Sequence, residues 1–207
     1  MTALAWTALT DFVLACEAFF VTGLLAARPK ARWSAAWFWQ FAMGMLALGA
    51  LLGGIDHGFV EPLELPEARK PVQRATWLVL GLLTWFVFLT ACKQFFPPRT
   101  RRWGYLAANL QVASYPALML LLDSFAVVVV NYGPVLLLLL GLSIAGLRSG
   151  KGSWPMVAGL LIALAASAAQ AAGLAAPPLD RNGLYHLGVM VAVGFLYLGG
   201  LRLDVAA

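Results

Sequence analysis

Two histidines are the residues of this sequence best suited to chemistry, and each stands at one end of a long apolar run. His57 follows an aspartate in L-L-G-G-I-D-H-G-F (residues 51–59), and His186 ends the stretch N-G-L-Y-H (residues 182–186). The chain of 207 residues contains no other histidine. Imidazole is a common metal ligand and an effective general base near neutral pH. Whether the two imidazoles form one site depends on the elements that carry them.

The composition predicts that lipid surrounds most of the chain. Hydrophobic residues make up 62% of the sequence and charged residues only 11%, whereas a soluble domain has about a quarter of its residues charged. The two cysteines, Cys16 and Cys92, lie within apolar runs and do not indicate a disulfide framework. The N-terminal run lacks a positively charged start and carries Asp11 and Glu17, so it reads as a retained first span rather than a cleaved signal peptide.

Apolar segments of spanning length predict an all-α integral membrane protein with seven transmembrane helices in a single domain, residues 1–207. The spans lie at about residues 3–26, 34–57, 75–96, 104–122, 124–147, 154–176 and 182–203. The least distinct boundary follows the fourth span, either at Asp123-Ser124 or at Asn131-Tyr132-Gly133-Pro134. The first choice is preferred because it leaves two spans of full length.

The basic residues predict the orientation of this bundle, since lysine and arginine concentrate in cytoplasmic loops. One side collects Arg28, Lys30, Arg32, Lys93, Arg99, Arg101, Arg102, Arg148, Lys151 and Arg202. The other side has Arg69, Lys70, Arg74 and Arg181. The N-terminus is therefore expected outside and the C-terminus in the cytoplasm, in a membrane of the bacterial plasma-membrane type. The short loops leave no room for a further soluble domain.

The polar residues within the predicted spans gather in the outer half of the bundle, where an ionisable group normally faces the interior or a cavity. They are Asp11, Asp56, His57, Asn131, Tyr132, Gln170, Asn182 and His186, with Glu17 near the middle of the first span. Asn182 and His186 are four residues apart and so share a helix face. We therefore expect one outer-leaflet pocket that contains both histidines.

Simpler interpretations exist for several of these residues. A histidine near the membrane surface is often only an interfacial residue, and Asp56 can simply end its helix. Asn182 is a candidate N-cap for the seventh helix. Glu17 can pair with a neighbouring helix or stay protonated.

With these positions in place, the sequence resembles the superfamily of alkaline ceramidases, progestin-and-adipoQ receptors and Per1-type proteins. The resemblance consists of the seven spans, the outside N-terminus, G-x-x-x-H at residues 53–57 and N-x-x-x-H at residues 182–186. In that superfamily the second span carries S-x-x-x-H and the seventh H-x-x-x-H, and three histidines hold a zinc ion that activates water against a lipid amide. An aspartate at the start of the third span lies nearby.

The sequence departs from this pattern at three places. Gly53 stands for the serine, Asn182 stands for the first histidine of the seventh span, and Arg74-Ala75-Thr76-Trp77 contains no aspartate at the start of the third. The resemblance thus implies His57 and His186 as metal ligands, with one ligand missing. Asp11, Asp56 or Glu17 is able to supply it as a carboxylate, because two histidines and a carboxylate form a common zinc set.

Four functions remain open at this point. The first is a zinc-dependent hydrolase of a lipid amide or ester, in which Asp11 or Asp56 completes the metal shell or acts as base and Asn182 and Glu17 lie beside the cofactor. The second is a non-catalytic protein that binds a membrane lipid or another hydrophobic small molecule, or joins a larger membrane complex. A bis-histidine haem protein and an ion transporter are less favoured. Nothing indicates a P-loop, a serine-hydrolase elbow or a nucleic-acid surface.

Overall fold

The computed structural model describes residues 2–204, which form seven helices and no strand. The helices are α1 (Ala3–Ala26), α2 (Ala35–Ile55), α3 (Pro66–Phe95), α4 (Pro98–Leu122), α5 (Phe125–Ala145), α6 (Trp154–Ala171) and α7 (Arg181–Gly200). All seven are long and apolar enough to cross a membrane. The prediction of seven such helices is confirmed, and the break after the fourth lies at Asp123-Ser124.

Side-chain caps explain where most of the helices begin. The first N–H groups of a helix have no partner within it, and a serine, threonine or aspartate side chain just before the helix can accept from one of them. Five helices begin in this way, with the capping residues Thr2, Ser34, Ser124, Ser153 and Asp180. The seventh helix is therefore capped by Asp180, and the alternative role of Asn182 as its N-cap is wrong.

The third helix begins nine residues earlier than the predicted span at about residue 75. Its first residue is Pro66, a position where the missing proline N–H costs nothing, and Glu67 in the first turn is favoured by the helix dipole. The polar stretch that reads as a linker in the sequence is therefore partly helical. This extension carries Arg69 to the end of α2, where the chain continues through a π-helical turn, Asp56–Val60, and a short 3₁₀ turn, Glu61–Leu63.

Six of the helices form a closed ring in the order α1, α2, α3, α5, α6, α7, and α4 packs outside the ring against α3 and α5. Glycines let α6 approach α7 closely: a Cβ on Gly159 would lie 2.7 Å from Leu196, and one on Gly188 would lie 2.7 Å from Ala166. Trp39 is 1% exposed and its indole N–H donates to the Leu196 carbonyl. The ring thus has a packed interior.

The C-terminal segment closes the end of the ring opposite the histidines. The Asp204 carboxylate accepts from the backbone N–H groups of Ala35 and Ala36 at 3.0 and 2.9 Å. The Asp204 N–H donates to Gln94, and the Gln94 amide donates to the Lys151 carbonyl. These bonds tie the start of α2, the end of α3, the α5–α6 loop and the segment after α7 together.

The close packing of α6 on α7 can be tested with two glycines of the same helix. A Cβ on Gly199 would lie 2.8 Å from the backbone of Met156, whereas a Cβ on Gly194 would meet nothing within 4 Å. Because a backbone cannot yield as a side chain can, we expect Gly199→Ala to lower the unfolding temperature by several degrees. Gly194→Ala should leave it unchanged or raise it slightly, since alanine is the better helix former. Thermal unfolding in detergent measures both, and equal effects would contradict the packing.

Candidate functional site

The ring encloses a cavity of about 380 Å³, within the usual range for small-molecule sites. The residues that line it are polar at one end and apolar along the rest. The end nearest the histidines is polar and is lined by Asp11, Asp56, His57, Arg69, Gln73, Thr76, Tyr132, Gln170, Asn182 and His186. The rest is apolar and is lined by Leu14, Trp39, Met43, Leu46, Leu83, Val87, Leu160, Val189 and Leu196, among others. Such a cavity suits an amphipathic molecule.

Asp11 lies at the centre of the polar end, between the two histidines. Its Oδ1 is 3.2 Å from His186 Nε2, and its Oδ2 is 4.0 Å from His57 Nε2. The residue is 3% exposed, and Oδ2 is buried without a hydrogen-bond partner among residues 2–204. Gly53 provides the space for this carboxylate, since a Cβ there would lie 3.0 Å from Oδ1. The structure therefore brings the two histidines together through Asp11.

The other nitrogen of each imidazole is held by its own partner. Glu61 Oε2 accepts from Nδ1 of His57 at 2.6 Å. Thr10 donates its single hydroxyl proton to the Thr7 carbonyl at 2.8 Å, so it accepts from Nδ1–H of His186 at 3.0 Å. With the proton of each neutral ring on Nδ1, the Nε2 lone pairs of both histidines face the Asp11 carboxylate. Three converging acceptors require a proton or a cation between them.

The face of α1 that contacts His186 also holds the start of α7 in place. Thr7 donates to Asp180 Oδ1 at 2.7 Å, one turn from the contacts of Thr10 and Asp11 with His186. Burial would raise the pKa of Asp180, but backbone N–H groups of Gly183 and Asn182 and the Thr7 hydroxyl lower it more, so this pKa lies below its ordinary value. The carboxylate form of Asp180 therefore stabilises the junction of the two helices.

Asp56 and Glu61 are joined by one arginine from the extended part of α3. Arg69 Nε lies 3.1 Å from both carboxylate oxygens of Asp56, and its Nη2 lies 2.7 Å from Glu61 Oε2. Asp56 is 5% exposed, so this charge would be costly without a partner. The arginine thus neutralises Asp56 and holds Glu61 in place against His57. Asp56 is a fixed, ion-paired carboxylate.

Two groups of side chains in the described part of the chain contain ligand types that could hold a metal ion. Asp56, His57 and Glu61 have ligand atoms within 4.8 Å of one another, but the Arg69 guanidinium already binds both carboxylates. Asp11, His57 and His186 offer two imidazoles and a carboxylate, with an unpaired buried oxygen, and each imidazole has the hydrogen-bonded second nitrogen typical of metal-ligating histidine. The second set fits zinc chemically. Its ligand atoms do not all lie within 4.8 Å of one another, so zinc binding would require the two imidazole rings to move closer together.

Five of the predicted site residues line the cavity, namely Asp11, Asp56, His57, Asn182 and His186. Glu17 does not: it lies more than one turn along α1 from Asp11, and no side-chain hydrogen bond or ion pair joins it to another residue of 2–204. Its predicted place beside the cofactor finds no geometric support.

Asn131 also lies outside the cavity lining, although Tyr132 next to it is part of it. Its side-chain oxygen accepts from Gln111 of α4, because position 131 faces the outer helix rather than the ring. The expectation that both residues share the pocket is therefore right for only one of them.

The side-chain partners of both histidines and of Asp56 were not predicted from the sequence. Thr10 contacts His186, Glu61 contacts His57, and Arg69 contacts Asp56. The two charged residues lie in a polar stretch that reads as a linker, and Thr10 is an ordinary hydroxyl in an apolar run. A signal existed only for Glu61, which is four residues after His57 and would share its helix face.

The fold and the site define a seven-helix bundle with an internal cavity that is polar at one end, an architecture compatible with an integral membrane protein. The chain belongs to a protein family of unknown function, DUF6962, whose profile matches residues 6–205. No curated protein and no solved structure matches the chain.

The role of Asp180 leads to a pH-dependent prediction. A carboxyl whose pKa is lowered by folding contributes stability above its unfolded pKa, about 4, and loses that contribution as the pH falls through the folded value. Asp180→Asn should therefore lower the unfolding temperature at pH 7, with a difference from the wild type that shrinks below about pH 4. Glu64→Gln removes an exposed acid as a control. A difference that does not change with pH would contradict the charged role of Asp180.

Proposed function

We propose that this protein is a membrane-embedded, metal-dependent hydrolase that acts on an amide or ester of a lipid. The observation that carries the proposal is the buried Asp11 carboxylate between the Nε2 atoms of His57 and His186. This group lies at the polar end of a cavity whose remaining walls suit a hydrocarbon chain. The resemblance of residues 53–57 and 182–186 to zinc-bearing lipid amidases supports the same assignment.

His57, His186 and Asp11 are the residues that would hold the metal. A bound zinc ion would lower the pKa of a water molecule to near neutrality and polarise a carbonyl group. Glu61 and Thr10 keep the Nδ1 protons in place, so that both Nε2 lone pairs would be available to such an ion. Oδ2 of Asp11, which is buried without a partner, would be able to take up a proton from water.

The surrounding residues would hold the lipid. The apolar part of the cavity would take the acyl chain, because its walls are lined by aliphatic and aromatic side chains. Arg69 keeps the charges of Asp56 and Glu61 paired, which leaves Asp11 as the carboxylate that faces the reacting groups.

The proposed orientation places this polar end in the outer leaflet of a bacterial plasma membrane. Ten basic residues lie at the opposite end and four at the histidine end. Because lysine and arginine are enriched in cytoplasmic loops, this distribution favours an outside position for the histidine end. The orientation can be tested with single cysteines at Glu64 and Arg99, exposed residues at opposite ends of the bundle, in a chain without Cys16 and Cys92. A membrane-impermeant maleimide on intact cells should label position 64 only, and labelling of position 99 alone would reverse the orientation.

The hydrolase proposal can be tested by comparing the two acidic residues of α1. Asp11→Asn should remove stoichiometric zinc and reduce hydrolysis of long-chain amides and esters by at least about 100-fold, because it removes a ligand and a proton acceptor. His57→Ala and His186→Ala should have the same effect. Glu17→Gln, outside the cavity lining, should retain both properties. Elemental analysis, turnover of a panel of acyl amides and esters, and thermal unfolding measure the outcome.

The results separate this proposal from the second candidate, a protein that binds an amphipathic ligand without turnover. The pairing of Asp56 and Glu61 by Arg69 favours that candidate, because it leaves the polar end fixed by internal ion pairs. Wild-type protein that contains no zinc after expression with added metal, and that hydrolyses none of the panel, would overturn the hydrolase. Binding of the same lipids would then support the second candidate, with membrane lipids or other membrane proteins as partners.

A further inference from the structure

Asn182 has an amide group whose orientation is set by another helix. Gln170 of α6 donates from Nε2 to Asn182 Oδ1 at 3.1 Å, and both side chains line the polar end of the cavity. With Oδ1 engaged, Asn182 presents its NH₂ group, which bonds no other residue of 2–204. A metal ligand from asparagine would use Oδ1, so this geometry assigns the residue a different role.

The chemistry of the neighbouring groups makes this NH₂ distinctive. Asp11 and Asp56 are acceptors, and the two Nε2 lone pairs point at Asp11. Arg69 is a donor, but it is committed to Asp56 and Glu61. Gln73 and Tyr132 also line the cavity with donor groups, but they lie on α3 and α5, whereas Asn182 shares a helix face with His186. The Asn182 amide is therefore the donor on the helix face of His186, and it complements a carbonyl oxygen of a ligand.

The spacing of Asn182 and His186 along α7 also agrees with a ligand carbonyl group at this position. Asn182 and His186 are four residues apart, which corresponds to a rise of about 6 Å on one helix face. A carbonyl oxygen that accepts from Asn182 would lie about one turn of α7 from His186, on the face that lines the cavity.

We propose that Asn182 binds the carbonyl oxygen of the lipid ligand and that Gln170 is the positioning residue that turns its NH₂ toward that oxygen. The inference rests on the proposed function in taking the ligand as a carbonyl-bearing lipid, but it does not require hydrolysis or a metal. It replaces the expectation that Asn182 lies beside the cofactor as one of its binding residues.

A comparison of two ligands tests the proposal in chelator-treated protein in lipid nanodiscs. The first ligand is N-methyldodecanamide, which has a carbonyl group, and the second is dodecyl methyl ether, which has none. Asn182→Leu and Asn182→Asp both remove the donor and should weaken binding of the amide about tenfold, as expected for one hydrogen bond, with a smaller loss for the ether, whose oxygen is a weaker acceptor. Gln170→Leu should weaken amide binding in the same direction by less.

Two control variants make the result specific. Gln111→Leu removes an amide that does not line the cavity and should change neither affinity. Gln73→Leu removes a cavity amide on α3, and a loss of amide affinity there but not at Asn182 would overturn the proposal. Equal losses for amide and ether in the Asn182 variants, or unchanged amide binding in both of them, would also overturn it. A carbonyl-specific loss in a protein whose untreated form also contains no zinc and shows no turnover would support this inference while contradicting the hydrolase.

Discussion

The structure depends on the placement of one carboxylate in an apolar bundle. Asp11 is almost fully buried on α1, where an isolated charge would be expensive. Its neighbours are His57, in the turn that follows α2, and His186 of α7, and Gly53 on α2 leaves the space that the carboxyl group fills. A buried carboxyl group of this kind constrains all three helices, because each must place polar groups next to the same point in the bundle.

From Asp11, the polar contacts continue on two sides through series of hydrogen-bonded side chains. On one side, Thr7 and Thr10 join α1 to Asp180 and His186, so the start of α7 is held by two hydroxyl groups. On the other side, His57 bonds Glu61, which is held in turn by Arg69 of α3. Four helices therefore meet in one connected polar network. Within residues 2–204, Oδ2 of Asp11 is the buried carboxylate oxygen of this network that has no hydrogen-bond partner, and the Asp11 carboxyl group lies close to the Nε2 atoms of both histidines.

The cavity next to this network indicates which class of ligand the polar groups would contact. Its apolar walls continue from the histidines into the ring, and the C-terminal segment closes the far end through Asp204 and Gln94. A molecule with a polar head and a hydrocarbon tail would place the head against Asp11 and Asn182. The hydrolase and the non-catalytic binding protein share this requirement, and they differ in whether a metal completes the polar end.

The sequence by itself determined the number of helices, their approximate bounds and the depth of both histidines, because apolar length and periodic placement are local properties of the chain. It also indicated Asp11, Asp56 and Asn182 as pocket residues, since polar groups within apolar runs usually face the interior of a bundle. The early start of α3, the partners Thr10, Glu61 and Arg69, and the separation of Glu17 from the cavity were decided only by the tertiary structure. Those features depend on how far each helix is rotated and how it packs against its neighbours. Because many rotations satisfy the same hydropathy pattern, only the packed bundle selects which side chains meet.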